Sequence, residues 1–193
     1  MNPISGATQG ESERILGEWL NKSNYRDELI IATKIAGNGP KHIRNGEGIT
    51  KKSLFTAINA SLNLLKTDYI DLYQLHWPNR GSYHFRQNWR FDPTSQDKNI
   101  VLDHMNEVLQ ACDMLKKEGK VRAFGLSNES AWGAAQWLRI SEEKGLPRMD
   151  SIQNEYSLMC RIFDTDLAEL CHNENVGLLS FSPLATGILS GKY

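Results

Sequence analysis

Five strand-like apolar runs alternate along the chain with amphipathic helical segments, and each run ends in polar or charged residues. Such alternation is typical of a parallel sheet, because each strand needs a crossover to return to the same end of the sheet. In parallel α/β barrels the carboxyl ends of the strands carry the chemistry. The residues at the five run ends are therefore candidates for one shared site: Lys34, His76, Ser127 with Asn128, Gln153 with Asn154, and Ser182.

The spacing of apolar residues and the capping signals predict the intervening helices. The first should run from about Glu11 to Lys22 and turn Ile15, Leu16, Trp19 and Leu20 inward. Further helices are predicted from the Thr50 N-cap to Leu65 and over residues 100–118, 131–144 and 164–173.

Two of the run ends are titratable, which suggests catalysis. His76 follows the apolar run that begins at Tyr69, and Pro78 then ends that run because proline cannot donate to a central ladder. A lone histidine is more often structural, but Lys34 closes the preceding run in the same way. The loop over residues 79–98, rich in aromatics and arginine, is long enough for a lid or binding loop.

Composition narrows the classes of function. The 193 residues, 40% hydrophobic and 23% charged, predict one domain over residues 1–193. The net charge of −1 is spread along the chain, which argues against a nucleic-acid partner. The absence of a long apolar run or a signal-like start predicts a cytoplasmic protein with no membrane span. Cys112, Cys160 and Cys171 lack metal or redox spacing and are expected to be free thiols.

Four segments closely resemble the aldo-keto reductase family: residues 32–34, 68–77, 119–128 and 181–193. The similarity looks strongest to the branch of bacterial and plastid reductases and potassium-channel β-subunits. The resemblance implies an α/β fold, a (β/α)8 TIM barrel, that reduces aldehydes and ketones with NADPH. A small-molecule carbonyl compound is then the expected substrate.

The resemblance also implies a role for each candidate residue. Lys34 corresponds to the catalytic lysine, whose charge lowers the pKa of a phenol from ~10 by roughly 1 to 3 units, so that the phenol can protonate the substrate. His76 corresponds to the histidine that donates a hydrogen bond to the carbonyl. The implied cofactor contacts are Ser127, Asn128 and Gln153 to the carboxamide, Phe181 stacked on the nicotinamide, Ser182, Leu184 and Gly187 around the pyrophosphate, and Lys192 as a basic contact. Core packing remains the alternative for Phe181, and a solvated surface side chain the alternative for Lys192.

The chain departs from the family pattern at both ends. The family's tyrosine and the aspartate that pairs the lysine belong upstream of residues 7–10, where no tyrosine occurs before Tyr25 and Asn2 stands near the place of the acid. We therefore expect an incomplete barrel of about five units that lacks the first two strands and the last. Two interpretations follow: part of an NADPH-dependent reductase, or a non-catalytic interaction or nucleotide-sensing module.

Overall fold

The computed structural model describes residues 8–85 and 87–192, which form one five-stranded sheet covered by helices. All neighbouring strands are parallel, and they follow chain order across the sheet. The predicted α/β fold, five consecutive units of a (β/α)8 barrel, is confirmed. The strands are β1 Ala32–Ile35, β2 Ile70–Leu75, β3 Val121–Ser127, β4 Met149–Glu155 and β5 Gly177–Phe181.

The helices lie where the apolar spacing predicts them, with shifts of one or two residues at several ends. They are α1 Glu11–Ser23, α2 Lys51–Leu65, α3 Lys98–Lys117, α4 Ala131–Lys144 and α5 Asp166–Asn173. The predicted Thr50 cap is confirmed, since its side chain accepts the Ser53 N–H while the Ser53 hydroxyl accepts the Thr50 N–H. Among the described residues, no helix is long and apolar enough to cross a bilayer.

Side-chain alternation gives the sheet two different faces. One face packs against the helices and buries large apolar groups, among them Ile35, Tyr73, Phe124 and Ile152. We call the other one the site face. Register pairs Lys34 with Gln74, Gly125 with Ser151, and Gln153 with Leu179, so these residues all lie on it. The site face carries mostly small or polar residues and is partly open to solvent.

The first helix corrects one expectation. Leu20 is buried and Leu16 packs against the core, as predicted, but Ile15 and Trp19 are 60% and 48% exposed. The reason is that α1 approaches α2 along the side that carries Gly17. A Cβ at Gly17 would lie only 2.0 Å from the Leu64 carbonyl oxygen, so the two backbones touch there. This close approach turns Ile15 and Trp19 away from the core.

A charged cluster ties the strands together near the amino end of β2. The Asp71 carboxylate accepts hydrogen bonds from the Ile31 backbone N–H (2.9 Å), Arg26 (2.8 Å) and Arg122 (2.8 Å). Both guanidinium groups also lie 3.8 Å from the centre of the Tyr69 ring. The cluster lies at the end of β2 opposite His76, which assigns it to stability.

Candidate functional site

The predicted site residues gather at the carboxyl ends of the strands, on the site face. Lys34 is the third residue of β1, one before its end, and His76 follows the last residue of β2. Ser127 pairs in register with Gln153, and Phe181 pairs with Glu155. The alternation of side chains therefore brings five neighbouring strand ends to one surface.

His76 is held by its backbone and is neutral at physiological pH. Its N–H donates to the Ile35 carbonyl oxygen (2.8 Å), and its own carbonyl accepts from Asn128 Nδ2 (2.9 Å). Burial, with the nearby Lys34 charge as a second cause, lowers the pKa of the imidazole from 6.5 to about 4. A neutral imidazole keeps one N–H donor, which is what a hydrogen bond to a carbonyl oxygen requires.

Lys34 is half-buried, and that burial lowers the pKa of its ammonium group. Within residues 8–85 and 87–192, no ion pair to Lys34 is found. Asn2, near the position where the family places the lysine's acidic partner, lies outside the described residues. The charge of Lys34 adds to burial in lowering the pKa of His76.

Ser127, Asn128 and Gln153 form a connected polar group. The Ser127 hydroxyl and the Asn128 backbone N–H both donate to the Gln153 carbonyl oxygen, at 2.7 and 3.1 Å. Asn128 Nδ2 donates to the Ser127 hydroxyl oxygen (3.1 Å) as well as to His76. Asn128 has φ +51°, a left-handed conformation that asparagine adopts more readily than most residues. The turn thus fixes the direction of its side chain.

Two amide oxygens in this group are buried and find no hydrogen-bond partner within residues 8–85 and 87–192: Asn128 Oδ1 and Gln153 Oε1. A buried acceptor that stays unpaired costs about 1 to 3 kcal/mol, so such atoms often mark a binding site. A carboxamide supplies N–H donors of the right kind for both oxygens. The residues present therefore fit the carboxamide end of a nicotinamide cofactor.

A buried ion pair supports the turn that carries Asn128. Glu129 is paired with Arg80 of the loop after β2, and its carboxylate also accepts from the Ser130 N–H (2.7 Å) and Trp137 Nε1 (3.2 Å). The sequence does not reveal this pair, because 49 residues separate its members. It anchors the long loop beside His76.

The predicted pyrophosphate segment differs from expectation in one respect. Phe181 ends β5, half-buried, and Ser182 follows with φ +53°. The resemblance implies free backbone N–H groups around the pyrophosphate, but the N–H of Gly187 donates to the Leu184 carbonyl oxygen (2.9 Å) within a 3-10 turn over Ala185–Ser190. A phosphate would have to compete with this local turn. Lys192 is exposed beyond it.

Two further polar residues lie on the site face and were missed from the sequence. Gln74 is buried two residues before His76, and its Nε2 has no hydrogen-bond partner in the part of the chain that the structure describes. Ser151 Oγ is also buried and has no partner among those residues. The sequence could have indicated Gln74, because a residue two positions before a strand-end histidine points to the same face of the sheet as that histidine.

Comparison with known proteins gives a family match. The model of the aldo/keto reductase family matches residues 8–193. Protein tas of Escherichia coli (strain K12) is 40% identical over 194 residues, which cover 99% of this chain and 55% of that protein. An aldo-keto reductase of Babesia bovis is 36% identical over 86% of this chain and 61% of its own length.

Norsolorinic acid reductase of Aspergillus flavus is 31% identical over 183 residues, covering 92% of this chain and 42% of that protein. The chain thus spans about half the length of the curated relatives it matches.

Proposed function

Because this chain belongs to the aldo/keto reductase family, we propose that its complete form reduces aldehydes or ketones to alcohols with NADPH as the hydride donor. The observation that carries the proposal is the neutral His76 beside Lys34, together with two buried amide oxygens that have no hydrogen-bond partner among the described residues. When bound, NADPH supplies the hydride. The protein's residues bind the cofactor, orient the substrate and polarise its carbonyl group.

In this proposal His76 donates its remaining N–H to the substrate carbonyl oxygen and stabilises the negative charge that develops there. The sequence holds no tyrosine before Tyr25, so in a barrel completed with the family's upstream strands Lys34 would lower the pKa of their tyrosine hydroxyl, and that phenol would protonate the oxygen. Asn128 and Gln153 accept hydrogen bonds from the carboxamide and hold the nicotinamide ring in place. Phe181 packs against that ring.

The cofactor contacts are tested first by nucleotide binding to the chain itself. None of the expected contacts is assigned to the 2′-phosphate that distinguishes NADPH from NADH, so titration of this chain with both, followed by nucleotide fluorescence, should give weak affinity with little preference between the two. Gln153→Met keeps the shape of the side chain and removes the Oε1 acceptor, so affinity should fall roughly five- to tenfold. The control Gln110→Met lies on an exposed position of α3 and should bind like the parent. Strong preference for NADPH would contradict this assignment of contacts.

The catalytic roles are tested in a completed barrel, made by adding the family's upstream strands, with their tyrosine and aspartate, and its last strand and helices. The isolated chain should show negligible reduction of an aromatic aldehyde, and the completed protein should reduce it with NADPH. Lys34→Met should abolish turnover, and His76→Ala should lower the rate while cofactor binding persists. The control Lys22→Met removes an exposed lysine of α1 and should be fully active.

A second function follows from the absence of an ion-pair partner for Lys34 among the described residues. A lysine without an aspartate is poorly positioned for acid catalysis, while the carboxamide contacts are independent of it. The alternative is a nucleotide-sensing or interaction module. A completed barrel that binds NADPH yet reduces nothing across a broad carbonyl panel would establish this alternative and refute the reductase.

A further inference from the structure

Asn154 is a buried polar residue near the carboxyl end of β4, where the sequence predicts it beside Gln153 in one shared site. It comes two residues after Ile152, so its side chain lies on the helix-facing side of the sheet, away from the site face. It is also 1% exposed. Any effect of Asn154 on a ligand at the site face must therefore pass through another residue.

The residue that Asn154 contacts is Glu129, which directly follows Asn128 in the chain. Asn154 Nδ2 donates to the Glu129 backbone carbonyl oxygen (3.1 Å), and His84 Nε2 donates to the same oxygen (3.0 Å). Because a carbonyl oxygen only accepts, the amide NH2 group of Asn154 and a protonated Nε2 of His84 must face it. Both side chains are buried. Two buried donors, one from β4 and one from the loop after β2, thus converge on one carbonyl group.

The turn that carries Asn128 is held by β4 on both sides. Before the turn, the Ser127 hydroxyl and the Asn128 N–H donate to the Gln153 carbonyl oxygen, at 2.7 and 3.1 Å. After it, the Asn154 side chain holds the Glu129 carbonyl oxygen. Asn128 has φ +51°, a sparsely populated conformation that persists only where its surroundings hold it. The neighbouring residues Gln153 and Asn154 fix one turn from opposite faces of the sheet.

The Glu129 side chain is held separately from its carbonyl group. The carboxylate pairs with Arg80 and accepts from the Ser130 N–H (2.7 Å) and Trp137 Nε1 (3.2 Å). These contacts secure the side chain and the start of α4. A variant that removes the Asn154 donor therefore leaves them in place and loosens only the main chain after Asn128.

We propose that Asn154, together with His84, is a positioning residue for Asn128: by holding the Glu129 carbonyl group, it aims Asn128 Oδ1 at the carboxamide of the cofactor. This inference rests on the proposed function, in which Asn128 and Gln153 accept hydrogen bonds from that carboxamide. Without the donor the turn relaxes, and Oδ1 loses its fixed direction. The property that changes is the recognition of the carboxamide N–H group, while the other nucleotide contacts remain.

Two nucleotides that differ only at the carboxamide test this role: NADP⁺ and its 3-acetylpyridine analogue, in which a methyl group replaces the NH2 group. Both compete with NADPH for the chain, and the loss of NADPH fluorescence measures their affinities. The parent should bind NADP⁺ roughly five- to tenfold more tightly, because the analogue leaves the acceptor oxygens unpaired. In Asn154→Leu and in His84→Phe this preference should fall to about twofold or less.

The matched control is Ser141→Ala, which also removes a buried donor to a backbone carbonyl, that of Leu146 (2.7 Å), but near the end of α4. It should keep the parent's preference even if a thermal melt shows lower stability. Loss of the preference in this control, or its retention in either folded variant, would refute the positioning role and leave the proposed function standing. A parent without any preference would refute the carboxamide contacts themselves, and the positioning role with them.

Discussion

At the scale of single residues, burial and neighbouring charges decide the protonation state of a side chain, which its residue type alone does not determine. His76 is a neutral donor at physiological pH because burial and the Lys34 charge both disfavour its protonated form. Asp71 stays ionised because its neighbours favour the charged form of its carboxyl group. Burial alone would raise the pKa of its carboxyl, but the Ile31 N–H and two arginines outweigh burial and hold that pKa below its usual value.

For His76 we predict a pKa of about 4 in the folded chain. Lys34→Met should raise it part of the way towards 6.5, because burial, the larger cause, remains. The control Lys22→Met should leave it unchanged. An NMR titration of the imidazole measures the His76 pKa in the parent, in Lys34→Met and in Lys22→Met. A His76 that titrates near its ordinary value in the parent would contradict the buried, neutral donor.

For Asp71 we predict a pH-dependent contribution to stability. Asp71→Asn should lower the free energy of unfolding by about 1.5 to 3 kcal/mol at pH 7, because hydrogen bonds to a charged acceptor are lost. A depressed carboxyl pKa stabilises above the unfolded value of about 4, and this contribution is lost as pH falls through the folded pKa. The difference between parent and variant should therefore shrink at pH 3.

Urea unfolding at both pH values measures this difference. Asp68→Asn, an exposed position three residues earlier, is the control and should change stability by less than about 0.5 kcal/mol. A difference that is constant between pH 7 and pH 3 would show that the charge of Asp71 does not matter.

At the scale of elements, one glycine decides how the first helix packs. The α1 and α2 backbones touch at Gly17, so any side chain there must push the helices apart. This contact explains why Trp19 faces solvent although its spacing matches a core position. The side of a helix that is buried depends on how closely its neighbour can approach.

Gly17→Ala should therefore lower the free energy of unfolding by about 1 to 3 kcal/mol, the usual cost of overpacking, although alanine is the better helix former. Asn21→Ala, on the exposed side of the same helix, should be neutral or slightly stabilising. Chemical denaturation of both variants checks this. A Gly17→Ala variant as stable as Asn21→Ala would refute the close contact.

At the scale of the whole molecule, the sheet leaves the outer edges of β1 and β5 without a partner strand among the described residues. The site face is also partly open, with Leu179 of β5 41% exposed. Unpaired strand edges and open apolar faces promote association. These two features together favour self-association of the chain in solution.

We predict that the chain self-associates as its concentration rises, which light scattering after size-exclusion chromatography would measure. Leu179→Lys places a charge on the open face and should reduce association. Leu158→Lys changes a residue that is 76% exposed in a loop and should not. A monodisperse monomer with a sharp melting transition would show instead that the five units fold independently.

The sequence by itself determined the order of the strands and helices and the group of residues at the site. Local rules suffice for these features: apolar spacing predicts the helices, Thr50 caps α2, and parallel strands bring Lys34, His76 and Ser127 to one edge. The family resemblance adds the proposed chemistry.

Only the tertiary structure decided which side chains are exposed and which atoms are left unpaired. The exposure of Ile15, the Arg80–Glu129 pair and the burial of Gln74 all depend on residues far apart in the chain. No local pattern encodes the distance between two such groups, because that distance is set by how helices and loops pack together.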